Sequence, residues 1–112
     1  MLTIYKYQIP LEDRFTKKFP DEYKILSVGV QNNTPFIWVL LDSLKDQNKT
    51  VNFRLAGTGH YFNELIMSQL NFIGSFELMK LGSFFIGHLF EIKNDNAILN
   101  LHNFESSINF VW

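Results

Sequence analysis

"KILSVGVQNNTPFIWVLLD", Lys24–Asp42, holds two strand patterns around one turn signal. In the first, Leu26, Val28 and Val30 alternate with Ser27, Gly29 and Gln31, so a pleated strand puts one set on each face. Asn32-Asn33-Thr34-Pro35 is the most turn-like tetrad in the chain. The second pattern, Phe36 to Asp42, is apolar on both faces, as expected of a central strand with cover on both sides. It places Trp38 in the core. The two runs are expected to form a hairpin.

The same period continues outward. In "LTIYKY", Leu2, Ile4 and Lys6 share one face and Thr3, Tyr5 and Tyr7 the other. Phe15 to Phe19 reads as a short edge strand whose Lys17 and Lys18 discourage further pairing. In "TVNFRLAG", Val51, Phe53 and Leu55 point inward and Asn52 and Arg54 outward. "NFIGSFELM" groups Phe72, Gly74, Phe76 and Leu78; "SFFIGHLFEI" groups Phe84, Ile86, His88 and Phe90 opposite Phe85, Gly87, Leu89 and Glu91. Between them, Phe62, Leu65, Ile66 and Gln69 or Leu70 recur at three and four, which predicts one short helix capped by Thr58. "AILNLHNF" and "SINFVW" would add one or two strands. The expectation is a single β-dominated domain over residues 1–112. Its six to eight mostly antiparallel strands would form a small barrel or a two-sheet sandwich.

Composition removes several functions. The absence of cysteine excludes disulfides, thiolate zinc sites and a cysteine nucleophile. A net charge of −1, with no stripe of Lys and Arg, gives no strong nucleic-acid signal. The apolar run Leu81 to Phe90 is too short to span a bilayer as a helix. The alternating start does not read as a signal peptide. A soluble protein of the cytoplasm is expected, with no membrane partner.

The ordered set "IYKY" (Ile4–Tyr7), "ILSVGVQNNTPFIWVLLD" (Ile25–Asp42), "GTGH" (Gly57–His60), "FIGSF" (Phe72–Phe76) and "GHLFE" (Gly87–Glu91) resembles a family of small uncharacterised phage and prophage proteins. The resemblance covers roughly residues 2–91 and makes residues 92–112 an extension. It implies a small β domain of phage origin and no established chemistry. The chain departs from the family pattern in three places. Gln8 and Ile9 precede Pro10, Gly87 stands where an aromatic usually precedes the late histidine, and the segment from His60 to Phe72 is longer.

Gly57-Thr58-Gly59-His60 admits two readings. Glycines at positive φ can line up amide N–H groups into a seat for a phosphate or carboxylate, with Thr58, His60 and neighbouring Arg54 as further donors. Alternatively, the tetrad is only a strand-to-helix corner. His88, between Ile86 and Phe90, reads as a hydrogen-bonded core histidine or as a ligand contact. Convergence of His60 and His88 would allow acid–base work. With His102 they make three imidazoles at most, so neither a metal site nor a cofactor is expected. Ser27 and Ser75 have strand settings rather than a nucleophile elbow. Tyr5, Tyr7 and Arg54, read as facing outward, and Ile108, Phe110 and Trp112 in the tail are interface candidates. The leading expectation is a phage-type accessory protein without enzymatic activity. It would bind a host protein or sequester a small anionic or nucleotide ligand to blunt host defence, and it could self-associate. The alternatives are a small hydrolase or isomerase using His60 and His88, and a virion structural or morphogenetic protein.

Overall fold

The computed structural model describes residues 1–62, 65 and 67–93. Each alternating run forms a strand: β1 Leu2–Gln8, β2 Arg14–Phe19, β3 Tyr23–Gln31, β4 Thr34–Asp42, β5 Lys49–Gly57, β6 Leu70–Lys80 and β7 Ser83–Ile92. All pairings are antiparallel. They build a three-stranded sheet of order β1-β4-β3 and a four-stranded sheet of order β2-β5-β7-β6. The two sheets face each other as a small β-sandwich.

The core lies between the sheets. β4 contributes Ile37, Val39 and Leu41, β5 contributes Val51, Phe53 and Leu55, and Phe15, Phe19, Phe76, Leu78 and Leu89 complete the layer. Each such side chain stabilises the fold by about 1.5–3 kcal/mol on full burial. Tyr7 of β1 reaches Phe19 of β2, with ring centroids 5.3 Å apart, and so bridges the sheets on the side where both strands are edges.

On the other side, β3 and β6 meet. A Cβ on Gly74 would stand 2.7 Å from Val28 Cγ1, so this glycine permits the approach of the two strands. The Asn33 side chain extends that seam. Its Nδ2 donates to Met79 O at 2.7 Å, and its Oδ1 accepts from Met79 N at 2.8 Å. Asn33 can reach Met79 because the β3–β4 loop is only two residues long. Asn32 and Asn33 have φ of 50° and 57°, the type I′ geometry that fits strand twist.

Four expectations change. Trp38 is not in the core but on the outer face of its sheet, because among the described residues β4 has cover on one side only. Its inward residues are buried, whereas Phe36, Trp38 and Leu40 are half-buried. Leu26 and Phe72 also leave the faces assigned by alternation. A bulge between Ile25 and Ser27 turns Leu26 outward, and one between Phe72 and Gly74 separates Phe72 from Phe76. Each extra residue reverses the parity beyond it.

Tyr5 and Tyr7 lie on the inward side of β1 rather than the outward one, Tyr7 half-buried and Tyr5 still 38% exposed. Tyr5 stands opposite Val39 and Tyr7 opposite Ile37, both inward positions of β4. Burial, with a smaller contribution from Tyr5, raises the Tyr7 phenol above its ordinary pKa. Finally, among the described residues the helix expected after His60 appears only as a 3-10 turn at Met67–Gln69. The expected strands and interface residues Ile108, Phe110 and Trp112, together with His102, lie outside the described residues.

Candidate functional site

The corner after β5 closes on itself. His60 N donates to Gly57 O at 3.0 Å, and Gly59 has φ of 93°, the arrangement of a type II turn with glycine at its third position. The His60 ring folds back so that Nδ1 accepts from Gly57 N at 3.0 Å. Thr58 N donates to Ile86 O at 3.4 Å and continues the β5–β7 ladder. Of the two readings of this tetrad, the corner is the one these bonds describe: the amides of Gly57, Thr58 and His60 are engaged within the fold. No α-helix among the described residues adds a dipole.

The Nδ1 acceptor role fixes the neutral His60 tautomer with its proton on Nε2. Protonating Nδ1 would break the bond to Gly57. Burial holds the imidazole below its ordinary pKa; Asp13 opposes it, and Arg54 adds a smaller lowering.

His88 serves the opposite face. It stands between Ala56 on β5 and Ser75 on β6. Its Nδ1 lies 2.7 Å from Ser75 Oγ and its Nε2 2.8 Å from Thr58 Oγ1. The ring therefore ties the corner to the edge strand across β7. A serine on one nitrogen resembles a nucleophile–base pair, but the other nitrogen meets a hydroxyl rather than a carboxylate that would stabilise an imidazolium. His60 packs instead with Phe85 against the inner side of Gly57, where a Cβ would come within 3.1 Å of His60 Nε2 and 2.8 Å of Phe85 Cε1. Because neighbouring positions alternate, the two imidazoles look to opposite faces of the sheet.

Arg54, expected on the surface, is 0% exposed. It does point to the outer side of β5, but the chain after the corner returns over that side. Nη1 donates to Leu55 O at 2.6 Å and Nη2 to Tyr61 O at 3.1 Å. The guanidinium lies 4.9 Å from the Phe62 ring centroid. Phe62 in turn packs edge-on against Phe90, and Leu65 joins Ile92 in a small second cluster. Arg54 thus holds the returning segment down.

Two clefts lie elsewhere. One of about 430 Å³ is lined by residues that include Glu12, Arg14, Thr16 and Asn52. The other, of about 340 Å³, opens between β3 and β6 beside the 2.5 Å bond from Tyr23 Oη to Glu91 Oε2. Neither is lined by a residue of Gly57–His60. Among the described residues no three His, Cys, Asp or Glu side chains are grouped to hold a metal ion. No helix there is long and apolar enough to cross a membrane.

A different surface stands out. The outer face of β1-β4-β3 displays Leu2, Ile4 and Leu26 at 71%, 56% and 42% exposure, around the half-buried Phe36, Trp38 and Leu40. Sequence reading had assigned most of these to the core or left them without a role. The two-sided apolarity of Phe36–Asp42 was the available signal, and it reads equally well as burial.

A family model described as a domain of unknown function (DUF7352) matches residues 1–100. No curated protein and no solved structure matches the chain.

Proposed function

We propose a protein-binding role from two premises: the chain belongs to the DUF7352 family, and one sheet carries an apolar outer face that no described residue covers. The protein is a non-enzymatic accessory module that docks a partner protein on the outer face of β1-β4-β3. Given the resemblance of its motifs to phage and prophage proteins, the partner is a protein of the bacterial host, met in the host cytoplasm. Interference with host defence is one such use.

The observation that carries this reading is the exposure of Leu2, Ile4 and Leu26 around Trp38. Contiguous apolar patches rimmed by polar groups mark interaction sites, and aromatic residues are the usual anchors. Here Lys24 lies at the edge of the patch, and Lys6, reaching across Phe36 to Gln31, bounds its other end. Small-ligand sequestration at Gly57–His60 draws less support, since the amides of Gly57, Thr58 and His60 bond within the protein.

The test is affinity capture from a bacterial lysate, followed by reconstitution with the purified partner. Leu26→Lys combined with Leu40→Lys should abolish binding, and Thr58→Val should leave it intact. The reverse pattern, or a nucleotide released from the purified protein on denaturation, would overturn the reading in favour of the glycine corner.

A further inference from the structure

We propose that β1 pairs edge to edge with β1 of a second copy, antiparallel about a two-fold axis through Tyr5, and joins two three-stranded sheets into one. This pairing stands independently of the partner-binding reading.

The direction of the free backbone groups follows from two bonds at the ends of β1. Ile9 N donates to Pro35 O and Ser43 N donates to Met1 O, each at 3.0 Å. Odd-numbered residues of β1 therefore turn their polar backbone toward β4. Leu2, Ile4, Lys6 and Gln8 turn theirs away, and no described residue pairs with that edge.

The two edge strands on this side of the sandwich are treated differently by the sequence. β2, "RFTKKF", carries Arg14, Lys17 and Lys18 and is followed directly by Pro20, devices that oppose pairing. β1, "LTIYKYQ", has one charge in seven residues, no proline and no bulge. That charge is drawn off the edge. Lys6 Nζ donates to Gln31 Oε1 of β3 at 2.9 Å and lies 4.5 Å from the Phe36 ring centroid of β4. The lysine thus reaches across its own sheet, and β1 presents a flat strand of aromatic and branched residues.

Self-pairing about Tyr5 uses the whole strand. Ile4 exchanges both backbone bonds with Lys6 of the partner subunit, and Leu2 does so with Gln8 of the partner subunit. No lysine then faces a lysine. A two-fold axis through Lys6 would set the two ammonium groups opposite each other and is disfavoured. Tyr5 meets Tyr5 of the partner subunit as a non-hydrogen-bonded pair, with Cα atoms about 4.5 Å apart. Edge pairing leaves the outer faces of both copies open, side by side on one continuous sheet. The contact is small, so a dissociation constant in the micromolar range is expected.

Sedimentation of the full chain across the micromolar range should show a reversible monomer–dimer equilibrium. Ile4→Pro removes one N–H from the free edge and none from the β4 ladder, so it should give a monomer with an unchanged melting temperature. Because the chain lacks cysteine, Tyr5→Cys offers a second readout that does not depend on that variant folding. The expected Cα separation falls within disulfide range. Mild oxidation should convert most of this variant to covalent dimer, whereas Thr3→Cys, which faces Tyr7 of the partner subunit, should stay largely uncrosslinked. A chain that remains monomeric throughout, or a dimer that survives Ile4→Pro without a Tyr5→Cys crosslink, would overturn the pairing.

Discussion

On the outer side of β5, Arg54 is 0% exposed beneath Tyr61 and Phe62, and Ile92 of β7 packs with Leu65. On the outer side of β4, Trp38 and Leu40 have no described segment above them and Ile4 beside them is 56% exposed. Both strands carry apolar or amphipathic residues on both faces. β5 is followed by a long connection to β6, of which Tyr61, Phe62 and Leu65 lie back over its sheet. β4 is followed by a short exposed connection, Ser43 to Asn48, that leads directly to the other sheet. Among the described residues, cover thus follows the connection after each strand rather than the composition of the strand. The surface left open is where a partner can gain free energy without displacing part of the fold.

The largest effect should come from breaking the covered side. Arg54→Ala removes the donors to Leu55 O and Tyr61 O and leaves a cavity, so it should cost about 2–4 kcal/mol in urea unfolding. A loss below about 1 kcal/mol would mean that the returning segment does not depend on its anchor. Gly57→Ala comes next. Its new methyl would stand 2.8 Å from Phe85 Cε1 and 3.0 Å from His60 Cε1, and overpacking of this kind costs about 1–3 kcal/mol.

A smaller effect is a pH dependence centred on His60. The folded state holds this imidazole below its ordinary pKa and therefore binds fewer protons than the unfolded chain. Its stabilisation is complete above the unfolded value of about 6.5 and is lost as pH falls toward and through the folded value. The melting temperature should accordingly drop on acidification from neutral pH. His60→Asn keeps an acceptor near the Nδ1 position and should flatten that slope. An unchanged slope would place the titration elsewhere.

The smallest effects belong to the open surfaces. Leu81 sits at the β6–β7 hairpin tip with φ of 51° and 98% exposure, so Leu81→Gly should relieve backbone strain and raise stability by about 0.5 kcal/mol. Leu26→Lys should change stability by less than about 0.5 kcal/mol, because its side chain stands outside the core on a bulge. A loss comparable to that of Gly57→Ala would show that the outer face of β1-β4-β3 is covered after all.

Period-two alternation made the strands legible, and the Asn-Asn turn made the central hairpin so. Alternation failed at Leu26 and Phe72 because a bulge adds a residue without leaving a mark in composition. It failed at Trp38 because an apolar residue on a second face gives the same signal under cover as in the open. The corner was legible as a turn: Gly57 and Gly59 each have a steric reason to be glycine. Its amide partners were not legible, since Ile86 lies 28 residues further along from Thr58. Arg54 was misplaced for a related reason. Its outward parity was read correctly, but the return of the chain over it has no local signature. Lys17 and Lys18, in contrast, marked β2 as a guarded edge directly, because edge protection is written in the edge strand itself.

Partner binding on β1-β4-β3 requires its outer face to be open in the free protein. The chain has two tryptophans, Trp38 and Trp112, so Trp112→Phe leaves Trp38 as the only indole reporter. Acrylamide quenching of that variant should show a solvent-accessible Trp38 in the free full-length chain and a shielded one after partner binding. A Trp38 already shielded in the free chain, with no change when partner is added, would contradict the assignment of this face as the binding surface.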